Sequence, residues 1–366
     1  RIAIIEVGGT VGDIESQPFL EAIRQFRHEI GYQNSVLIHV TLVPYLKASG
    51  ELKTKPTQQS VKALQGMGIS PDVIVCRTEV PLEDGIESKI ALFCNVPEDH
   101  VLQNLDVEYL YEAPLAMEKE RLAHVVCECL NLPCPEPQLG DWKQMVDALK
   151  NPTSEVTIAL VGKYIQLHDA YLSVMEALKH GGIANRTKVT IKWVDSEFLK
   201  PEALDDTFAG VDGIIIPGGF GSRGTEGMIL AANYARENKI PFLGICLGMQ
   251  MAMVAFARNV LGYADANSSE LDPETTHPVV DLMPDQNGVE NLGGTLRLGS
   301  YPCVLDKKSK AYSLYGTDMI NERHRHRFEI NNDYRDDFTS HGMMLSGQSP
   351  DGHIVEMIEL PDHPFY

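Results

Sequence analysis

The sequence predicts an α/β protein made of two doubly wound domains. Apolar runs of strand length alternate with helix-length segments along most of the chain. Such alternation implies parallel sheets covered on both faces. A proline-rich break divides the pattern in two, and 366 residues suit two domains or three. Hydrophobic residues make up 43% of the chain, enough for sizeable cores.

The first domain, residues 1–132, opens on RIAIIEV, where Ile2 to Val7 reads as a buried strand. A domain seldom begins in mid-strand, and no methionine or turn precedes this one. We therefore expect a fragment of a longer protein. A glycine loop follows, then a helix from Gln17 to about Gly31. Ser35 to Val43 reads as a strand. Gln58 to Met67 reads as a helix, because Val61, Leu64 and Met67 fall on one face. Asp72 to Cys76 is a strand, and a helix from about Met117 to Leu130 closes the domain.

In LNLPCPEPQLGDW, Pro133, Pro135 and Pro137 break any helix or central strand. The linker is placed at residues 133–155, with a short helix from Trp142 to Leu149 inside it. The second domain, residues 156–366, starts at VTIALVGKY (Val156 to Tyr164). Its strands include Lys188 to Val194, Gly213 to Pro217 and Ile240 to Ile245. HIVEMIEL, near the end, alternates like an antiparallel strand. The chain shows no internal repeat and no low-complexity tract.

Net charge is −20, from 31 basic and 51 acidic residues. A phosphate backbone would be repelled, which disfavours nucleic acid as a partner. Nucleotides remain possible, since they need only local basic residues. No apolar run approaches the roughly 18 residues of a membrane span, and the opening lacks a secretory signal. The expected compartment is the cytoplasm. Seven cysteines in a chain this long do not read as a disulfide framework. Cys127 and Cys129, two positions apart on a helix, point to nearly opposite sides. Reduced thiols are expected there rather than metal ligands.

In GICLGMQ a strand runs into a helix through Gly244-Ile245-Cys246-Leu247-Gly248. The spacing is that of a nucleophile elbow with Cys for Ser. Glycines on either side relieve crowding at a strained turn. The helix N-terminus sets positive potential beside the sulfur, which is expected to lower the thiol pKa. A buried structural cysteine fits the same pentapeptide. IIIPGGFGSRG (Ile214 to Gly224) is a second strand followed by a glycine loop. Gly218 and Gly219 let backbone N–H groups approach a ligand, and with the N–H of Leu247 they can form an oxyanion hole for acyl transfer. Two such strand-end loops together point to a thiol acyl-transfer site.

EVGGTVGDIES (Glu6 to Ser16) follows the opening strand. In open α/β sheets ligands sit at the carboxyl ends of strands. Its glycines permit close approach, and Glu6, Asp13 and Glu15 add carboxylates. KTKPTQQS (Lys53 to Ser60) supplies lysines and threonines just before a helix, and lysine suits phosphate as a point charge. A solvated basic turn fits the same stretch. CRTEVPLEDGIESKIALFCNVP adds Arg77 and Lys89.

The Cys246 turn and the Gly218-Gly219 loop resemble the class I glutamine amidotransferases. In that family Cys246 would be the nucleophile, Gly219 would hold substrate and oxyanion, and Leu247 and Gln250 would line the glutamine site. YADANSSEL, with Glu270, and ERHRHRFEIN, with Arg327, resemble glutamine-contacting positions of the CTP synthase family. A carboxylate can receive the α-amino group and a guanidinium suits a carboxylate. Without the family, Arg327 reads as part of an exposed basic strand.

The first-domain segments resemble the synthetase domain of CTP synthases, in register and in order, so the likeness covers essentially the whole chain. It implies a P-loop-type synthetase domain, of which this chain holds the C-terminal portion. It implies Mg²⁺ at Glu6. Asp13, Ile14, Glu15, Lys53, Lys55, Thr57, Gln58 and Lys89 would form the site shared by UTP substrate and CTP inhibitor. Asp106 and Val107 would lie near the ATP base. The implied reaction is UTP + ATP + glutamine → CTP + ADP + phosphate + glutamate, with ammonia passing between domains and GTP as activator. A homotetramer, with filaments beyond it, is the implied assembly.

Two family features are missing from these residues. No G-x-x-x-x-G-K-[ST] occurs, and LVGKY around Lys163 lacks the upstream glycine spacing. His363-Pro364 is followed by Phe365 where a His-Pro-Glu motif would carry glutamate, so His363 reads as a loop residue and the base is expected beyond Tyr366. Full activity is not expected of the chain as written. Two other readings stay open: a cysteine glutaminase joined to a nucleotide sensor, and an inactive nucleotide-binding and assembly module.

Overall fold

The computed structural model describes residues 2–282 and 297–366. Two compact units emerge, Arg1–Asp147 and Ala148–Tyr366. The division falls within a helix of the proline-flanked stretch.

The first unit holds α1 (Gln17–Ile30), β1 (Ile38–Leu42), a short pair β2 (Tyr45–Leu46) and β3 (Glu51–Leu52), and α2 (Lys55–Gly66). It continues with β4 (Val73–Thr78), α3 (Ile86–Cys94), β5 (Val101–Leu105), α4 (Ala113–Lys119), α5 (Leu122–Cys129) and α6 (Gly140–Lys150). Strands β1, β4 and β5 pair in parallel in the order β1-β4-β5. The central strand is covered on both faces, as its apolar run requires. Ile74 and Cys76 pack with Val61, Ile90 and Cys94 from α2 and α3. Val73 and Val75 pack with Val125 of α5.

α1 starts with Pro18 in its first turn, where the missing N–H costs nothing. It ends at Gly31, whose φ of 87° suits glycine. Leu20 packs with Leu64 and Ile69. At the other end the buried Arg27 meets Asp72 at 2.8 Å, and Asp72 also accepts from the N–H of Leu37 at 2.7 Å. One carboxylate thus stitches the end of α1 to the starts of β1 and β4.

Two expectations need correction. Ile2 to Val7 is not a strand: it pairs with none of the described strands, and Ile2 and Ile4 are 73% and 95% exposed. A strand exists by pairing, and β propensity alone supplies no partner. The helix expected from Met117 to Leu130 is two helices, because Arg121 takes a left-handed conformation at φ 61° between α4 and α5.

The second unit begins with β6 (Ser154–Gly162), α7 (Leu172–Ala184), β7 (Thr187–Asp195), α8 (Leu204–Phe208), β8 (Gly213–Ile216), α9 (Thr225–Glu237), β9 (Phe242–Gly244) and α10 (Leu247–Phe256). Strands pair in parallel in the order β7-β6-β8-β9. Alternate residues serve opposite faces. Ile214 and Ile216 of β8 join the main core with α9 and α10. Ile215 faces Leu160, Tyr171 and, on α7, Val174 and Leu178. Apart from Met249, every residue of α10 is buried, as befits a helix that is apolar all round.

The chain continues through β10 (Asn267–Ser268), β11 (Pro278–Leu282), β12 (Arg297–Leu305), α11 (Lys310–Tyr315), β13 (Met319–His326) and β14 (Phe328–Ile330). It ends with α12 (Arg335–Ser340), β15 (Met344–Gln348) and β16 (Val355–Glu359). β12 pairs antiparallel with β13 and β15, and β15 with β16, so HIVEMIEL is antiparallel as its alternation predicts. The last residues close onto the core. Phe242 donates its N–H to Phe365 O at 2.8 Å, and its ring stacks on Tyr366 at 4.6 Å.

Candidate functional site

Cys246 lies between β9 and α10 with φ 56° and ψ −111°. That conformation strains any residue with a Cβ, and such strain gathers at functional turns. The turn is held on both sides. Ile245 N–H donates to Ile216 O at 2.9 Å, and Gly248 N–H donates to Ile245 O at 2.9 Å. The flanking glycines are a steric need. A Cβ on Gly244 would lie 2.6 Å from the carbonyl carbon of Gly248, and one on Gly248 would lie 2.8 Å from that of Ile216.

The loop after β8 comes up beside the thiol. A Cβ on Gly218 would lie 3.3 Å from Cys246 Cβ and 3.6 Å from its Sγ, so the loop packs closely against the cysteine. The N–H groups of Gly219 and Leu247 both reach the sulfur and favour thiolate. The expectation of a lowered thiol pKa is nevertheless overturned. Burial outweighs the two donors, and the carboxylates of Glu329 and Glu270 push the same way, so the thiol sits above its ordinary value.

Gln250 is buried, and its side-chain amide donates to Phe328 O at 2.9 Å. That bond ties α10 to β14, directly after Arg327, which occupies the bend between β13 and β14. Glu270 is exposed, with its N–H on Ser268 Oγ at 3.3 Å. The structure therefore gathers Gly219, Leu247, Gln250, Glu270 and the start of β14 around Cys246.

Sequence reasoning missed Glu329. This buried carboxyl beside the thiol is pushed up to about 8, mainly by burial. Its only signal is a lone acid between Phe328 and Ile330. Behind it, Arg297 Nη2 donates to Glu356 Oε1 at 2.6 Å, and His324 Nε2 lies 2.7 Å from Glu356 Oε2. Donor atoms of His324, His326 and Glu329 lie within 4.8 Å of one another, a spacing that a metal could use. However, Arg297 Nη1 is 3.4 Å from His324 Nδ1 and 3.8 Å from Glu329 Oε1. A cation is already in place there, and a second would be repelled.

His363 is buried, with Nε2 donating to Ala235 O at 3.0 Å and Nδ1 accepting from Phe365 N–H at 3.2 Å. Both ring nitrogens are committed, which matches a packing role in the terminal loop.

In the first unit, parallel topology sorts the expected nucleotide residues to one edge. Helices return antiparallel to the strands, so the N-termini of α1, α2 and α3 lie at the carboxyl ends of the strands, where ligands bind. Glu15, Lys55 and Lys89 lie at or near those helix starts. Asp106 follows β5, accepts from Arg77 Nε at 3.0 Å, and donates its N–H to Thr78 O at 3.0 Å; Val107 is next. Asp13 accepts from the N–H of Thr10 at 2.9 Å, while Ile14 and Glu6 are exposed. Lys53 pairs with Glu51, and Gln58 Nε2 donates to Thr54 Oγ1 at 3.2 Å. Thr57 differs: it is fully buried, and its hydroxyl donates to Leu42 O at 3.2 Å and meets Thr41 Oγ1 at 3.0 Å. Its side chain anchors α2 to β1.

Comparison with known proteins agrees with both halves. The family described as "Glutamine amidotransferase class-I" matches residues 166–366, and the one described as "CTP synthase N-terminus" matches residues 1–132. Fold and thiol site thus define a class I glutamine amidotransferase domain in a chain that carries a second α/β unit. CTP synthase of Ruminiclostridium cellulolyticum is 60% identical over 365 residues, covering 100% of this chain and 68% of that protein. CTP synthase of Clostridium beijerinckii is 58% identical with the same coverage. A solved structure, the glutaminase domain of Trypanosoma brucei CTPS with bound acivicin, matches with TM-score 0.54 and 38% identity. That match covers 58% of this chain and 83% of the other.

The chain belongs to the CTP synthase family. Its chemistry is that of a carbon–nitrogen ligase that uses ATP, UTP and glutamine. Among the described residues, no helix is long and apolar enough to cross a membrane.

Proposed function

We propose that Cys246 is the glutaminase nucleophile of this ligase. The observation that carries it is the strained turn at φ 56° that sets the thiol under the N–H groups of Gly219 and Leu247. The thiolate attacks the carboxamide carbon of glutamine, and those two N–H groups receive the developing oxyanion. The proton given up by the thiol leaves with the amide nitrogen as ammonia, and water then cleaves the resulting thioester to glutamate and the free thiol. Gln250 holds the helix against β14. Glu270 receives the α-amino group and Arg327 the carboxylate of glutamine.

In the synthetase portion, Asp13, Ile14, Glu15, Lys53, Lys55, Gln58 and Lys89 form the UTP site, which CTP shares as inhibitor, and Thr57 supports it by anchoring α2 to β1. Asp106 and Val107 meet ATP. The exposed carboxylate of Glu6 suits Mg²⁺, which keeps several waters and needs few protein oxygens. The ion would neutralise phosphate charge during transfer. GTP activates the glutaminase half, and the enzyme works in the cytoplasm as a homotetramer able to form filaments. Residues 1–132 and 156–366 are the two functional domains, with 133–155 as linker.

The test is CTP formation from UTP and ATP with either glutamine or ammonia. Cys246→Ala should abolish the glutamine-driven rate and spare the ammonia-driven one. Retention of the glutamine-driven rate would remove Cys246 from the mechanism.

A further inference from the structure

Lys163 follows the last residue of β6 and is only 3% exposed. Burying an ammonium group is costly unless its donors are compensated. Among the described residues no carboxylate pairs with it. Its Nζ instead donates to two backbone carbonyls of the loop after β8, Phe220 O at 3.1 Å and Gly221 O at 2.6 Å. Burial holds its pKa below the ordinary lysine value, with Arg223 adding to that and Glu270 opposing it.

The contact is reciprocal. Arg223, at the far end of the same loop, donates from Nη2 to Lys163 O at 2.7 Å. Its other terminal nitrogen meets Glu197 at 2.9 Å. Tyr171 OH accepts the N–H groups of Lys163 and Tyr164 at 3.1 and 3.2 Å, which fixes the Lys163 backbone. The loop and the end of β6 are latched in both directions.

The latch abuts the thiol site. A Cβ on Gly219 would lie 3.4 Å from Lys163 Cε and 3.5 Å from Leu247 Cδ2. Gly219 therefore packs close to both the lysine stem and the side chain of the residue after Cys246. With the carbonyls of Phe220 and Gly221 turned onto Nζ, the loop presents the Gly219 N–H toward the sulfur. Were those peptides released, a carbonyl dipole could turn toward the developing anion and oppose it.

We propose that Lys163 is the positioning residue of the oxyanion loop, holding the peptides after Gly219 so that the loop offers donors, not acceptors, to the tetrahedral intermediate at Cys246. This deepens the nucleophile reading and rests on it. Lys163 does not touch substrate; it acts through the backbone it holds.

Lys163→Met keeps the stem and removes both donations. In the full enzyme, glutamine hydrolysis should show kcat lowered about 10²-fold, the scale of losing one oxyanion donor. KM for glutamine should stay close to wild type, because the Glu270 and Arg327 contacts are untouched. Arg223→Gln, on a half-exposed side chain, releases the latch from its other end. It should lower kcat in the same sense by a smaller factor, and it decides the matter if Lys163→Met does not fold. A folded Lys163→Met enzyme with wild-type kcat, or one changed only in KM, overturns the proposal, as does an Arg223→Gln enzyme of wild-type kcat. Failure of the nucleophile reading looks different: Cys246→Ala would then keep its glutamine-driven rate.

Discussion

Gly248→Ala tests how the proposed nucleophile, Cys246, is held. The new Cβ would lie 2.8 Å from the carbonyl carbon and 3.0 Å from the Cβ of Ile216, and closer still to the carbonyl oxygen. Carbon atoms settle at about 3.5–4.0 Å, so α10 must retreat from β8 by roughly 1 Å. The obstacle is backbone of a central strand and cannot swing aside. Leu247 N–H, one residue away, moves with the helix and leaves the position of the oxyanion. A misplacement of about 1 Å at a reacting centre costs about 10²-fold in rate. The overpacking itself should cost about 1–3 kcal/mol of stability. Glutamate release measures the first effect and thermal unfolding the second. CTP formation with ammonia serves as control and should be unchanged. A folded Gly248→Ala enzyme with wild-type glutamine turnover would refute the view that close packing against β8 aligns the site.

Two further predictions concern charge around the thiol. Because burial outweighs the two N–H donors at Cys246, iodoacetamide should alkylate it with a pH midpoint above that of an exposed cysteine, and glutamine analogues should protect it. A midpoint below the ordinary thiol value would show that the helix terminus dominates after all. Glu329, held near 8 in the fold against an ordinary 4.5, keeps a proton that the unfolded chain releases. Its protonated form favours the fold at low pH, and that contribution is lost as pH rises from about 4.5 to 8. Glu329→Gln should therefore gain stability over the wild type between pH 5 and pH 8, by a few kcal/mol. Denaturant midpoints at the two pH values measure it, and an unchanged difference would count against a buried neutral carboxyl.

Much of the thiol site is legible in the sequence because its logic is local. Gly244, Cys246 and Gly248 crowd one another within a single turn, so their spacing carries the geometry. The Gly218-Gly219 loop is similarly written beside its strand. What spacing cannot carry is proximity between distant segments. Glu329 stands 83 positions after Cys246 in the chain, and nothing near either residue announces that they meet. That is also why the thiol pKa is misjudged: the helix terminus is visible in sequence, while burial and remote carboxylates are not. Ile2 to Val7 fails as a strand for a related reason, since an apolar run cannot supply its own neighbour. Thr57 looks like a ligand group in KTKPTQQS, yet its hydroxyl is spent on Leu42 O. Local chemistry shows what a side chain could bind, and packing decides what it does bind.

The backbone at Cys246 has a cost beyond the active site. Among residue types, glycine would accept φ 56° with least strain. Every cysteine-bearing copy therefore folds against a small local penalty that a side-chain-free copy would avoid. Under the role proposed for Cys246, a population selected for stability alone should drift toward glycine at this position and lose glutamine use while becoming more robust. Persistence of the thiol would then report demand for nitrogen, maintained by growth on glutamine and relaxed where ammonia is plentiful.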